Sequence, residues 1–218
     1  MYQARTATFT AAQRRAAEAA LKPMGGPPRG LLAGTRIDTD QGWRLVETLV
    51  AGDLIHTRDG GLRPLKQIDR MFFAGSDGLA ALRRVLMVPG GALGNCTPFF
   101  LLPDQHLMFV SAYAEAALGT PFTLVAGRAL AGHRGITPMR LDGPVEVITL
   151  RFAEEEVIWA NTGVLMHCPS VDEPEGAFQS EFYATLDGEQ AEALIGLLDM
   201  GAVAVAEAGA AVRNPAAA

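Results

Sequence analysis

The chain has little cysteine: Cys96 and Cys168 are the only two in 218 residues. Two cysteines make no disulfide framework, so a small stapled scaffold is excluded and two buried free thiols are expected. Positive charge is also short. Eighteen Lys and Arg against 24 Asp and Glu leave a net charge of -6, without the basic footprint that nucleic-acid binding needs. The pairs Arg14-Arg15 and Arg83-Arg84 are too short to change this. No apolar run approaches the ~20 residues that span a bilayer, so no membrane span is expected. The start, Met1-Tyr2-Gln3-Ala4-Arg5, lacks the apolar core of a secretory signal. It is Arg-bearing and acid-poor, as transit peptides and many amphipathic helices are. The cytoplasm is therefore the default compartment.

Glycine and proline are plentiful, at 24 and 13. That is more than a helical protein tolerates and suits many short strands joined by frequent turns. Apolar residues at 49% and charged residues at 19% are ordinary for a globular chain of a length that supports a sizeable core.

Three stretches differ in texture. Thr10 to Leu21 predicts a helix with Thr10 as N-cap and an Ala-rich interior. Residues 22–28 carry three prolines and two glycines and predict a linker, giving an N-terminal unit of residues 1–29. Residues 30–170 read as the β body. Within it, strands are expected at Thr35–Thr39, Trp43–Val46, Leu54–Thr57, Arg63–Phe73, Arg84–Val88, His106–Ser111, Val145–Phe152, Glu156–Ala160 and Val164–His167. Asp59-Gly60-Gly61 is the clearest hairpin turn. Residues 171–218 form a tail, with a helix expected from Asp187 through Met200 whose apolar face is Leu194, Ile195, Leu197 and Leu198. The run Gly201–Ala218 is low-complexity and expected to fray. The fold class is all-β with short N-terminal and C-terminal helices.

Four segments in order carry a family resemblance. They are Leu32-Ala33-Gly34-Thr35-Arg36-Ile37, the stretch Leu49 to Gly61 with Gly52-Asp53 and Asp59-Gly60, the block Pro103-Asp104-Gln105-His106-Leu107-Met108, and Glu155 to Val164. Together they resemble the Hint (hedgehog/intein) self-processing domain of the bacterial type. The resemblance implies a β-rich fold. It also implies a Cys or Ser nucleophile on the domain's first residue, which attacks the preceding carbonyl. A set of donors holds the oxyanion, and a histidine protonates the departing nitrogen.

Matched residue by residue, that machinery is incomplete. Gly30 stands at the nucleophile position and has no side chain. Losing the nucleophile of a covalent enzyme costs on the order of 10⁶ in rate. Thr35 and Thr39 lie close in sequence but belong to the first strand. His106 matches the proton donor. Three residues earlier the family has Thr or Ser, and here Pro103 offers neither a hydroxyl nor an N–H. Pro103, Asp104 and Gln105 are therefore expected as neighbours of a vestigial site, and a histidine often found near Glu155 is absent.

Other candidates read more simply as structure. A His167-Cys168 couple is not expected to meet, since strand neighbours point to opposite faces. Cys96, His106, His133 and Cys168 fit no short zinc spacing, so no metal and no cofactor are expected. Glu154-Glu155-Glu156 reads as a solvated strand end. Cleavage at Gly30 would release only a helix and a linker.

The leading expectation is a Hint-like module that has lost autoproteolysis and acts in binding or as a scaffold, with a protein partner. In that reading either terminal helix docks onto the module or onto the partner, and the oligomeric state is open. A second expectation is active self-processing by water attack near Gly30 assisted by His106. A third is a secretion- or toxin-associated Hint protein, although neither Gly-rich nonapeptides nor a nuclease-like His cluster is found in the sequence.

Overall fold

A computed structural model describes residues 29–73, 84–173 and 178–199. The helix expected at Thr10–Leu21, the linker and the run from Gly201 onward lie outside the described residues. The body is built of short strands, as the glycine and proline content requires. The first are β1 (Leu31–Leu32), β2 (Arg36–Thr39), β3 (Gly42–Leu45), β4 (Leu54–Thr57), β5 (Gly61–Pro64) and β6 (Gln67–Phe73). Next come β7 (Arg84–Val88), β8 (Phe99–Leu101), β9 (His106–Val110), helix α1 (Ala112–Leu118), β10 (Phe122–Ala126) and β11 (Thr137–Arg140). The chain continues through β12 (Val145–Arg151), β13 (Glu156–Ala160), β14 (Val164–Cys168), β15 (Ala184–Thr185) and helix α2 (Gly188–Asp199).

Among the described residues the strands form three sheets. The largest runs β15-β10-β9-β14-β13-β2-β4-β5, with β3 paired to β2. One small sheet orders β1-β12-β6 and the other β11-β7-β8. The expected hairpin turn at Asp59-Gly60-Gly61 forms, as does a turn between the first two expected strands. Gly42 turns β2 into β3 at φ +89, and Gly61 closes the Asp59-Gly60-Gly61 turn so that Thr57 faces Gly61 across the β4–β5 ladder.

The long return strand expected over Arg63–Phe73 is two strands. Pro64 ends the ladder against Leu54, because proline has no N–H to continue it. Leu65 then drops into the core, with its N–H on the Asp53 carbonyl. Lys66 donates to Arg151 O, and the chain crosses to pair with β12. The strand expected to reach Ser111 stops at Val110. Ser111 instead caps α1, its hydroxyl accepting from the Tyr113 and Ala114 amides, and Gly119 ends the helix at φ +73.

The main core gathers Ile37, Ile55, Leu107, Ile148, Phe152, Ile158 and Met166 from several strands. Helix α2 joins it through Ala191, Leu194, Ile195 and Leu198; of the expected face Leu197 is only half-buried, and Ala191, one turn earlier, takes its place in the core. A 2.6 Å contact between buried His133 Nδ1 and Asp199 Oδ1 ties down its C-terminal end. No described helix is long and apolar enough to cross a membrane.

Candidate functional site

Gly30 lies just ahead of β1, where its backbone crosses β12. Its φ of +141 is one that side-chain-bearing residues rarely adopt. A Cβ placed there would meet Val147 Cγ1 at 2.8 Å and both the Ile148 carbonyl oxygen and Thr149 Oγ1 at 3.0 Å. The space a nucleophile would need is filled by its neighbours. The peptide bond between Arg29 and Gly30 is held at both ends. Thr149 Oγ1 donates to the Arg29 carbonyl oxygen at 3.1 Å, and Gly30 N–H donates to Gln105 Oε1 at 3.0 Å.

Gln105 is buried and connects three strands' worth of backbone. Besides accepting from Gly30, its Nε2 donates to the carbonyls of His106 at 3.0 Å and His167 at 2.7 Å. It reaches this position because the turn before β9 is fixed to the chain after β10. Gly127 N donates to Gln105 O and Arg128 N to Pro103 O. Asp104 lies 2.7 Å from Arg128 Nη2. Pro103 and Asp104 thus shape the turn, while Gln105 and His106 enter the site.

His106 opens β9 and is buried, with its ring stacked on Phe178 at 3.5 Å between centroids and an interplanar angle of 11°. Its Nδ1 is buried without a hydrogen-bond partner. Burial pushes the imidazole down to about 3, helped by the neighbouring His167, Arg29 and Arg128 charges, so the ring is neutral at pH 7.

Glu155 overturns the expectation of a solvated strand end. Both Glu155 and Glu156 are buried, at 9% and 7% exposure. Glu155 Oε2 sits 2.6 Å from His167 Nε2. Its Oε1 accepts from Ser180 Oγ at 2.9 Å and from the backbone amides of Glu181 at 2.8 Å and Phe182 at 2.6 Å. Burial pushes this carboxyl up, but the bonds from His167, Phe182 N and Ser180 outweigh it and hold it below the usual carboxylate range. Glu156 faces Arg63, and burial, its largest influence, raises it.

His167 meets the Phe178 ring edge-on at 5.1 Å. Cys168, its neighbour on β14, belongs to the main core, where burial and then the Glu156 charge push its thiol up. The imidazole and thiol therefore lie in different surroundings, and no couple forms. Cys96 is exposed, against the expectation of two buried thiols. Among the described residues no group of three or more His, Cys, Asp or Glu is placed to hold a metal ion.

Sequence reasoning named Gly30, His106 and Gln105, which the fold brings together. It missed Thr149, Glu155, His167, Phe178 and Ser180 as members. Only the paired Glu155 and His167 carried any signal, as titratable residues at the two ends of one predicted hairpin.

The family model for the Hint domain matches residues 29–165, more than half of the chain. The solution structure of a bacterial intein-like domain from Clostridium thermocellum is similar at 16% identity, covering 64% of this chain and 99% of that one, with a TM-score of 0.46. The crystal structure of the gp41-1 intein is similar at 11% identity over 65% of this chain and 98% of that one, with a TM-score of 0.39. No curated protein matches. The chain belongs to the Hint domain family.

Proposed function

We propose that this Hint domain has given up self-processing and serves as a binding or scaffold module. The observation that carries the reading is the packing around Gly30. Loss of the attacking side chain removes on the order of 10⁶ in rate, or about 8 kcal/mol of barrier lowering. The contacts with Val147, Ile148 and Thr149 leave no volume for a replacement. The proton donor is equally unsuited. An imidazole held at about 3 is protonated in roughly one molecule in 10⁴ at pH 7, too few to serve as a general acid.

One observation favours a second reading, hydrolysis of the Arg29–Gly30 bond by water. The Thr149 hydroxyl on the Arg29 carbonyl oxygen is placed as an oxyanion donor would be. Against this, the Gly30 nitrogen spends its N–H on Gln105, an amide that has no proton to give a leaving amine at its Oε1. The test is intact-mass spectrometry of the purified chain, fresh and after long incubation with thiol reductant and hydroxylamine. A single unchanged mass supports the module. A product beginning at Gly30 overturns it in favour of hydrolysis.

A further inference from the structure

Residues 178–182 lie beyond the stretch that matches the Hint family and cross the His106 site as a strap. Phe178 and the following Tyr183 pack against a small cluster of Met108, Leu124, Val157 and Leu165, and the strap adds polar holds to that packing. Phe178 lies flat on His106 and edge-on to His167, with the Arg29 guanidinium 5.3 Å from its centroid. Ser180 and the next two amides place three donors on one carboxylate oxygen of Glu155. The Ser180 hydroxyl also accepts from Tyr183 N, which sets the bend of the strap. Phe182, by contrast, is 64% exposed, so the strap is not held by burying every side chain it has. A ring in an imidazole-lined slot, followed by N–H groups converging on a buried carboxylate, would give a peptide an apolar anchor and a polar register.

We propose that the cleft between His106, His167 and Glu155 is a peptide-recognition site. Its ligand is a bent segment with an aromatic residue at its first position, a hydroxyl at its third and free backbone N–H groups at its fourth and fifth. In this chain residues 178–182 are that ligand, bound in cis. Tethering gives the strap an effective concentration of about millimolar, so it excludes any weaker free peptide of the same pattern. Emptied of its own strap, the cleft takes the same segment from outside. This inference rests on the reading of the domain as a non-processing binding module and names what that module recognises.

The test uses the full-length chain carrying Phe178→Ala, Ser180→Ala, Glu181→Pro and Phe182→Pro, which removes the ring, the hydroxyl and both amide donors, and a fluorescein-labelled peptide spanning Phe178 to Tyr183. Fluorescence anisotropy is expected to show saturable binding at least tenfold tighter than to the unaltered chain. Adding Glu155→Gln to the emptied variant should weaken it at least tenfold. An emptied variant that keeps cooperative unfolding yet binds no better than the unaltered chain overturns the proposal. Should that variant not fold, hydrogen exchange on the unaltered chain decides. The Glu181 and Phe182 amides are expected to exchange at least tenfold faster than those of β14, through opening of the strap alone. Exchange at the β14 rate overturns the proposal, because the strap would then be inseparable from the fold. A chain cut at Gly30 would fail the non-processing reading instead, and the mass measurement distinguishes the two.

Discussion

Replacing His106 by Phe should remove part of the protein's sensitivity to acid. The native imidazole is held at about 3, while in the unfolded chain it titrates near 6.5. The fold thus prefers the neutral ring, and its stability is lost as pH falls below the unfolded value and continues to fall towards the native one. At pH 5 the unfolded ring is roughly 97% protonated and the native ring about 1%, a difference of about 2 kcal/mol. At pH 8 neither form binds the proton and the term vanishes. His106→Phe keeps a flat ring on Phe178 and removes a buried nitrogen that has no partner, so at pH 8 the variant should lie within about 1 kcal/mol of the unaltered chain.

Urea unfolding of both chains at pH 5, 6, 7 and 8 measures this. Each curve also contains every other pH-dependent contribution, so only the difference between the chains reports His106. The variant should gain about 2 kcal/mol relative to the unaltered chain between pH 8 and pH 5, with the denaturant slope unchanged. Parallel pH profiles would refute the reasoning, since they would mean that the native ring binds its proton as readily as the unfolded one and that its burial carries no penalty.

Glu155→Gln keeps the shape of the side chain but discharges the oxygen that receives three strap donors; it should cost about 1–3 kcal/mol in urea and speed exchange at the Glu181 and Phe182 amides. Because the Glu155 carboxyl is held low, strap protection in the unaltered chain is present above the ordinary carboxylate range and is lost only as pH falls through the depressed native value. A thiol reagent under native conditions should add once, at exposed Cys96, and a second time at Cys168 only in denaturant, as counted by intact mass. Gly30→Ala should destabilise by about 2–5 kcal/mol from backbone strain and crowding together, far beyond an ordinary surface substitution. Gly30→Cys should be equally destabilised and yield no thiol-dependent cleavage by intact mass.

The parts of the structure that the sequence made legible are local. Asp59-Gly60 flanked by alternating residues announces a hairpin because its turn needs only its own few residues. Ser111 ahead of Ala112 to Leu118 was an equally local signal, a capping hydroxyl before good helix formers, and was overrun by extending the β9 pattern one residue too far. The site was legible only at Gly30, Gln105 and His106. Glu155 looked solvated because three consecutive acids usually are. What buries it arrives from 12 residues away in His167 and 25 to 27 away in Ser180, Glu181 and Phe182. No alternation or turn signal encodes a partner at that range. Thr149 is one polar residue in a strand of mixed pattern, and its hydroxyl matters only because the chain returns to it from 120 residues earlier.

Gly30 does not stand alone among the features that oppose self-processing. Had a nucleophile merely been deleted from an otherwise unchanged site, a void would remain on its side of the backbone, and a void costs stability in proportion to its volume. Instead Val147 and Thr149 crowd that position, and the backbone has a conformation that suits glycine. On the other side His106 is covered by Phe178, so the group expected to deliver a proton to Gly30 N is stacked and neutral, and that nitrogen is hydrogen-bonded to Gln105. Reversing one of these features leaves the other, which is why a single restored side chain at Gly30 is expected to damage the fold before it revives any chemistry. In the proposed reading the exchangeable part of the site is the part the strap occupies, where the Ser180 hydroxyl and two backbone amides converge on Glu155. If the cleft reads a peptide as proposed, its specificity should follow His106, His167 and Glu155, which contact the strap, rather than anything at position 30.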